Sequence, residues 1–282
     1  MADLVVHPLT QARLTDFVAA PSHALLIVGP TGIGKRSLAH LLASRLMTIE
    51  LERVPNHQYV RIINAGKDKS ISIEKVRELE QFLSRKVPGD GKRVVIVEDA
   101  HLLGVEAQNA LLKTLEEPPE STTLLLTVAH EQALLPTIRS RAVGLTVLRP
   151  ESRAVSAHFQ AMDIDGKLIA RAHAMSGGLP GLMSAILQGE EEHPLVQAAG
   201  VARQIAQGSM FERLAMVDGL SKDREQCLEV LAMLQQMARV SMRSGNMADT
   251  WQRILKASHA AIGELLASGQ PKLVLTNLML SL

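Results

Sequence analysis

Short apolar runs alternate with segments of helical period along the first half of the chain. The runs are continuous in Val, Ile and Leu, which is typical of parallel strands covered on both faces. The segments between them place apolar residues three and four positions apart, as amphipathic helices do. This alternation predicts an α/β domain over residues 1–150 with a five-stranded parallel sheet. The predicted strands are ALLIV (24–28), QYVRII (58–63), RVVIV (93–97), TLLLTV (123–128) and VGLTVL (143–148), and the predicted helices are KRSLAHLLASRLM (35–47), SIEKVRELEQFLSRK (72–86) and GVEAQNALLKTLEE (104–117).

The strand pattern ends after Pro150. Residues 151–189 predict three short helices, and we interpret residues 151–192 as a small helical domain. Longer amphipathic segments, such as EQCLEVLAMLQQMARVSM (225–242), predict an all-α domain over residues 193–282. Their Leu and Met stripes are typical of a packed core rather than of a ligand site.

Composition and charge narrow the range of functions. The 282 residues carry a net charge of +1, so the chain as a whole does not attract nucleic acid. Aromatic residues make up 2% of the chain, which argues against a platform that stacks bases. Cys227 is the one cysteine, which excludes an internal disulfide and a multi-cysteine zinc site and fits a reducing compartment. The sequence has neither a signal-peptide pattern nor a run approaching the roughly 20 apolar residues of a membrane span, so it predicts a soluble, cytoplasmic protein.

A glycine-rich segment follows the first predicted strand and opens a predicted helix. Gly29, Gly34 and Lys35 have the spacing of a phosphate-binding loop, in the strand–loop–helix context that the motif requires. Backbone amides of such a loop cradle phosphate oxygens, and the lysine reaches the outer phosphates. A chance glycine-rich turn is the alternative interpretation. The candidate nucleotide-binding residues are Gly29, Pro30, Thr31, Gly32, Ile33, Gly34, Lys35, Arg36 and Ser37.

Arg36 departs from this motif. Its position usually carries a serine or threonine whose hydroxyl binds Mg²⁺. Arginine has no acceptor atom, and its positive charge repels a metal ion. Ser37 is rotated by about 100° around the helix and is a poor substitute. The loop therefore predicts phosphate binding better than metal-assisted hydrolysis, and we assign no metal-binding residue.

An acidic pair, Glu98 and Asp99, ends the third predicted strand. A nucleotide site usually has Asp first, which helps to hold Mg²⁺, and then Glu, which orients or deprotonates the attacking water. Here the order is exchanged, so each side chain differs by one methylene from the length its role requires. A displacement of about 1 Å in a catalytic group can lower the rate by about 100-fold. A solvated acidic loop after a strand is the alternative interpretation.

Two longer stretches resemble a known family. EDAHLLGVEAQNALLKTLEEPPE (98–120) and LLPTIRSRA (134–142) are similar to the AAA+ subunits of the bacterial DNA polymerase III clamp loader. The run NALLKTLEEPPE (109–120) is highly specific for that family. The resemblance is strongest over residues 24–150 and weakens through the helical region that follows. It implies a P-loop AAA+ nucleotide-binding domain, a helical lid, and a helical collar domain that joins subunits into a hetero-pentameric ring.

The resemblance also implies roles for two further residues. Thr127, in TLLLTVAH, is the candidate for the sensor-1 position of the family. SRA (140–142) stands where the family has Ser-Arg-Cys, so Arg141 is the candidate arginine finger, which stabilises charge on the nucleotide of a neighbouring subunit. A surface arginine without that role is the alternative. The candidate catalytic residues are thus Arg141, Glu98, Asp99 and Thr127.

Within the family, the chain resembles the delta-prime subunits more than the gamma or tau motor subunits. The motors are similar to one another in an intact loop, an Asp-Glu pair, a four-cysteine zinc module and a lid arginine. This chain instead has Arg36, the exchanged pair Glu98-Asp99, a single cysteine, and Pro180 near the place of the lid arginine. The resemblance implies a delta-prime-like stator that supports ATP-dependent loading of the sliding clamp in DNA replication, with little or no ATP hydrolysis of its own.

The same resemblance implies partners and ligands. The expected partners are gamma/tau-like and delta-like subunits, with the sliding clamp and primer–template DNA reached through the complex, and no membrane. ATP or ADP is expected to bind weakly, with no support for Mg²⁺ and no zinc. Two alternatives remain open: a gamma/tau-like motor subunit that hydrolyses ATP, and a stand-alone P-loop ATPase or adaptor outside replication.

Overall fold

The chain divides into two compact units in a computed structural model. The structure describes residues 4–66, 68, 70–85, 87–89, 91–189, 193–243 and 248–282. The first unit comprises Met1–Pro30 and Gly34–Pro150, and the second comprises Thr31–Ile33 and Glu151–Leu282. Residue 86, where a predicted helix ends, and residues 190–192, at the predicted boundary between the helical domains, lie outside the described residues.

Five parallel strands form the sheet of the first unit, which confirms the predicted fold class. Their order is β2-β3-β4-β1-β5. Val28 is in register with Val128, and Val97 with Leu126, so the carboxyl ends of the three middle strands lie at one edge of the sheet. Ligands of open α/β sheets bind at this edge. The strands are β1 (Ala24–Val28), β2 (Val60–Ile63), β3 (Arg93–Val97), β4 (Thr122–Val128) and β5 (Val143–Thr146).

Helices of the first unit cover the sheet. All five residues of β3 are buried, on both faces of the sheet, as the continuous apolar run predicts for a strand covered on both sides. One large cluster joins alternate residues of β1, β3 and β4 to the apolar sides of two helices, α3 and α4. The helices are α1 (Pro8–Ala19), α2 (Lys35–Met47), α3 (Ile73–Leu83), α4 (Val105–Glu116) and α5 (Pro136–Arg139), with short 3-10 helices at Leu51–Asn56, Ala100–Leu102 and Glu131–Ala133.

Two predicted strands are shorter than the apolar runs that predict them. β2 begins at Val60 rather than at residue 58, because the imidazole of His57 accepts a hydrogen bond from the amide of Tyr59 in a preceding turn. β5 ends at Thr146 rather than at residue 148, because the amide of Leu148 donates to the hydroxyl of Thr10, at 3.0 Å, instead of to the sheet. The predicted ends were therefore wrong by two residues in each case.

Helix α1 was not predicted. It begins with Pro8 at its first turn, where the absence of an amide proton does no harm, and with His7 as its N-cap. The His7 imidazole accepts from the amide of Leu9 at 3.2 Å. Serine, threonine, aspartate and asparagine are the usual N-cap signals, so a histidine cap gives little warning of a helix.

The described elements of the second unit are all helices, as predicted for residues 151–282. Ser209 and Glu212 form a capping box at the start of α10, since each side chain bonds the backbone amide of the other residue. Within the described residues no helix is long and apolar enough to cross a membrane. The helices are α6 (Ser152–Gln160), α7 (Gly166–Ser176), α8 (Pro180–Leu187), α9 (Pro194–Gln207), α10 (Met210–Leu220), α11 (Arg224–Arg243), α12 (Ala248–Leu266) and α13 (Pro271–Ser281).

Candidate functional site

The lysine of the candidate phosphate loop is buried at the start of α2. Gly34 precedes it as the N-cap with φ 98°, a left-handed conformation that favours glycine. Lys35 is 5% exposed, and its Nζ donates to the carbonyl of Pro30 at 3.3 Å. Burial lowers the pKa of Lys35 to about 8, against the opposing effect of the Asp99 charge. A cation with so little hydration is favourably placed to accept a phosphate anion.

The middle of the loop is held within the second unit. The carbonyl of Gly32 accepts hydrogen bonds from the amides of Gly181 and Leu182, at 2.8 and 3.2 Å. These amides belong to the first turn of α8, where backbone donors have no partner inside the helix, and Pro180 occupies its first position. Gly32 has φ +86°, and an added Cβ would lie 3.2 Å from Cβ of Leu182. Both the conformation and the close approach require glycine here.

The other residues of the loop lie in different parts of the structure. The amide of Gly29 donates to the carbonyl of Val128 at 3.2 Å, which extends the pairing of β1 with β4 by one bond. Ser37 lies on an exposed part of α2. Thr31 and Ile33 group with Gly32 in the second unit.

Glu98 is enclosed by three partners. Its side chain is 4% exposed. One carboxylate oxygen, Oε1, lies 2.9 Å from Nε of Arg36 and 2.8 Å from Nε2 of His40. The other, Oε2, accepts a hydrogen bond from the side-chain amide of Asn64 at 2.9 Å. Both oxygens are therefore engaged by protein groups.

Burial and hydrogen bonding act on Glu98 in opposite directions. Burial alone would raise its pKa, but the hydrogen bonds from His40 and Asn64 and the charge of Arg36 outweigh burial and lower the pKa. The carboxylate is therefore charged at neutral pH, and its charge is balanced inside the protein. The residue that occupies the position of the metal-binding hydroxyl, Arg36, forms an ion pair with the residue that occupies the position of the metal-binding acid.

This arrangement does not fit a bound Mg²⁺. Magnesium needs oxygen ligands in a near-octahedral arrangement, whereas Glu98 presents its oxygens to nitrogen donors. Among the described residues there is no group of three or more His, Cys, Asp and Glu side chains that could hold a metal ion. The interpretation of Arg36 as a barrier to metal binding thus gains a specific contact, which is the salt bridge to Glu98.

Sequence reasoning missed two of the three partners of Glu98. His40 lies one turn after Arg36 on α2, and this i, i+4 spacing places both side chains on one side of the helix. Asn64 directly follows β2, at the same edge of the sheet as Glu98. A polar residue at the carboxyl end of a buried strand was a usable signal for Asn64.

A hydrogen bond joins the backbone of Asp99 to the side chain of Thr127. The Thr127 hydroxyl accepts a hydrogen bond from the amide of Asp99 at 2.9 Å, and Thr127 is 1% exposed. Asp99 has φ 51°, a left-handed conformation that is uncommon outside glycine, asparagine and aspartate. The structure therefore brings the candidate sensor-1 residue next to the acidic pair, where it fixes the backbone turn that follows β3.

Arg141 lies in a different part of the first unit, after α5. Its Nη2 forms an ion pair with Oε1 of Glu116 at 2.8 Å. Its Nη1 donates to the carbonyl of Thr137 at 3.0 Å and to the hydroxyl of Ser140 at 3.4 Å. The Arg141 side chain is 35% exposed, so it is accessible from outside while being held in one orientation. Glu116 lies within the family-specific run, but the sequence alone did not indicate this pairing.

Comparison with known proteins agrees with the sequence motifs. A sequence profile described as "DNA polymerase III, delta subunit" matches residues 18–151. DNA polymerase III subunit delta' of Pseudomonas aeruginosa is 34% identical over 200 residues, which are 64% of this chain and 60% of that protein. The delta' subunit of Escherichia coli is 30% identical over 215 residues, covering 70% of this chain and 64% of that protein. The chain thus spans less than two thirds of the length of these curated relatives.

A solved structure supports the fold class. The RuvB Holliday junction branch migration motor of Thermotoga maritima is similar with a TM-score of 0.50 and 16% identity, covering 92% of this chain and 88% of that chain. At this identity the likeness concerns the fold alone, which here is a parallel α/β domain followed by helical regions. The profile match and the two delta' relatives show that the chain is similar to delta' subunits of DNA polymerase III.

Proposed function

We propose that this chain is a delta'-like subunit of a bacterial clamp loader, which supports ATP-dependent loading of the sliding clamp without turning over ATP itself. Support comes from the delta' relatives and from the contrast between two sites in the first unit. The position for a metal-binding acid is closed by internal contacts of Glu98, whereas Arg141 is held at the surface. A subunit built in this way would serve the active site of a neighbour rather than its own.

The enclosed carboxylate of Glu98 is the observation that carries the proposal. Hydrolysis at this site would require Glu98 to leave Arg36, His40 and Asn64 before it could act on a metal or a water. Leaving a buried charged hydrogen bond costs about 1.5–3 kcal/mol per partner, although the exposed Arg36 contributes less. ATP or ADP would bind weakly through Lys35 and the loop amides, without Mg²⁺ and without zinc.

The helical regions would have separate tasks in the complex. In this proposal residues 151–192 are the lid and residues 193–282 are the collar, through which gamma/tau-like and delta-like subunits join in a pentameric ring. Two large apolar side chains of α10, Met210 and Phe211, are 57% and 83% exposed. Two more on α13, Leu273 and Leu280, are 58% and 53% exposed. In this proposal a subunit contact would cover these four side chains. The clamp and primer–template DNA would be reached through the cytoplasmic complex.

Two substitutions test the proposal in a reconstituted clamp loader. Arg141→Ala should lower the ATPase rate of the complex by about 10-fold or more at the one affected site, because the finger would stabilise charge on the phosphate of a neighbour. Lys35→Ala should leave the complex nearly unchanged, because this subunit's own loop would not turn over ATP. The isolated chain should hydrolyse ATP very slowly or not at all.

The alternative functions make the opposite prediction. The buried Lys35 and the complete glycine–lysine frame favour a gamma/tau-like motor or a stand-alone P-loop ATPase. For either of these, Lys35→Ala would stop hydrolysis while Arg141→Ala would have no effect on this chain's own rate. A turnover of about one per second by the isolated chain, abolished by Lys35→Ala, would contradict the stator proposal.

A further inference from the structure

The guanidinium of Arg36 lies between the two positions that hold the metal ion in a phosphate-binding loop. In such loops Mg²⁺ is bound by the hydroxyl that follows the loop lysine and by an acid that follows a neighbouring strand. These positions are 36 and 98 in this chain. The structure joins them directly, because Nε of Arg36 lies 2.9 Å from Oε1 of Glu98. A positively charged side chain therefore occupies the place between them.

The outer part of this guanidinium can bind a further group. Arginine carries five N–H donors in a planar fork, and the ion pair with Glu98 is made through the Nε side of that fork. The Arg36 side chain is 70% exposed, so a dissolved ligand can reach its terminal NH₂ groups. A guanidinium fork matches two phosphate oxygens at once. Glu98 thus orients a group whose remaining donors suit a phosphate.

The surroundings of Arg36 also favour an anion. Lys35 directly precedes it, is 5% exposed, and has a pKa that burial lowers to about 8, so the ammonium is still charged at neutral pH but poorly hydrated. The amide of Leu38 donates to the carbonyl of Gly34 at 3.0 Å, which leaves the amides of residues 35–37 without a partner inside helix α2. Two cations and the positive end of a helix dipole therefore meet at consecutive residues.

We propose that Arg36 takes the place of Mg²⁺ in this loop, so that the site binds the diphosphate group of a nucleotide that carries no metal ion. This inference rests on the proposed function, in which the loop binds ATP or ADP weakly. A guanidinium supplies positive charge to phosphate oxygens, but it has no coordination position at which to bind and activate water. The site therefore holds a nucleotide without hydrolysing it. Mg²⁺ on the nucleotide competes with Arg36 for the same oxygens and lowers the affinity.

Isothermal titration of ADP into the isolated full chain tests the effect of the metal. One titration contains EDTA and the other excess MgCl₂, at matched ionic strength because salt screens exposed charges. ADP should bind several-fold more tightly in EDTA. Equal affinity in the two buffers, or tighter binding with Mg²⁺, would overturn the inference, because Arg36 would then not compete with the metal for the phosphate oxygens.

Substitutions on helix α2 test the residue itself. Arg36→Met keeps the helix propensity and removes the guanidinium, so the affinity for ADP in EDTA should fall about tenfold, as for one lost charged hydrogen bond. Arg45→Met, in the exposed last turn of α2, removes the same charge and is the matched control, with no change expected. Native affinity in Arg36→Met would overturn the inference. If that variant folds poorly, Arg36→Lys decides: an ammonium lacks the fork and should bind ADP less tightly than the native protein, and equal affinity would contradict the role of Arg36.

Two further outcomes separate the ligand from the proposed function. Inorganic pyrophosphate should compete with ADP in EDTA, because the diphosphate group is what Arg36 and Lys35 would recognise, and a failure to compete would overturn the inference. The absence of any ADP binding would overturn it as well, but the stator proposal would stand, since a stator does not require a nucleotide of its own. ATP turnover by the isolated chain would contradict the stator proposal instead, whatever the effect of Mg²⁺ on ADP affinity.

Discussion

Replacing Glu98 by Gln should destabilise the first unit measurably. The substitution keeps the shape of the side chain and removes its charge. In the native protein this carboxylate accepts hydrogen bonds from His40 at 2.8 Å and Asn64 at 2.9 Å, and it forms an ion pair with Arg36 at 2.9 Å. A glutamine carboxamide offers one acceptor oxygen in place of two, and it turns an NH₂ group toward one of these donors. All three partners then lose a charged acceptor, and the one that faces the NH₂ group loses its acceptor altogether.

The magnitude follows from the exposure of each partner. A hydrogen bond to a charged group contributes about 1.5–3 kcal/mol when buried. The Arg36 side chain is 70% exposed, so solvent screens its ion pair and its share is at most about 1 kcal/mol. The contacts with His40 and Asn64 are more enclosed and carry most of the effect. The expected loss in the free energy of unfolding is about 2–4 kcal/mol, or a decrease in Tm of roughly 5–15 °C.

The pH dependence gives a second, independent signature. The pKa of Glu98 is lowered in the folded state, so its stabilisation is present above the pKa of an unfolded glutamate, about 4.3, and is lost as the pH falls through the folded pKa. The contribution of Glu98 ionisation to the difference in unfolding free energy between the native protein and Glu98→Gln should therefore be constant above about pH 5.5. It should decrease below about pH 4.

Urea denaturation followed by circular dichroism, with hydrogen exchange of the β3 peptide, measures this difference from pH 3.5 to 7. Glu120→Gln, at an exposed loop position, removes the same charge and is the control, with an expected change within about 0.5 kcal/mol. If Glu98→Gln were as stable as the native protein at pH 7, the three contacts would not hold the carboxylate. Glu98 would then be available to act on a metal or a water, contrary to the proposed function.

Three further outcomes are expected. The depressed pKa of Lys35, about 8, means that the unfolded state binds more protons above this pH, so native stability should rise by up to about 3 kcal/mol between pH 8 and 10.5, and Lys35→Met should abolish this rise in urea titrations. Glu116→Gln should change the stability of the isolated chain by less than about 1 kcal/mol, because the ion pair is partly exposed. In the complex, Glu116→Gln should lower the ATPase rate, although less than Arg141→Ala does, whereas Glu117→Gln should leave the rate unchanged. An increase in rate with Glu116→Gln would show that Glu116 restrains Arg141 instead of orienting it. Phe211→Glu should leave the chain folded and weaken its assembly in size-exclusion experiments. Leu168→Glu, a change at an exposed residue of α7, is the control, and equal assembly by the two variants would place the contact surface elsewhere.

The sequence determined the fold class and the central strands. Continuous apolar runs can be buried on both faces only within a covered parallel sheet, and the runs at 24–28 and 93–97 form strands with those bounds. The order of the strands was beyond the sequence, because their pairing depends on contacts between distant segments. The cap of α1 by His7 and the bond from Leu148 to Thr10 involve residue types without a strong local signal, so an entire helix and the end of β5 were missed or misplaced.

The candidate site divides in the same way. Local spacing indicated the phosphate loop, the acidic pair and Arg141, because each motif is contained in a few consecutive residues. What those residues do to one another was decided by tertiary structure: Glu98 meets His40 and Asn64 across 58 and 34 positions of the chain. The identity of Arg36 indicated a defective metal site from the sequence. Only the fold shows that the Arg36 guanidinium forms an ion pair with Glu98. Hydrogen bonds and ion pairs act over about 3 Å, and a sequence does not reveal which distant side chains the fold brings within that distance.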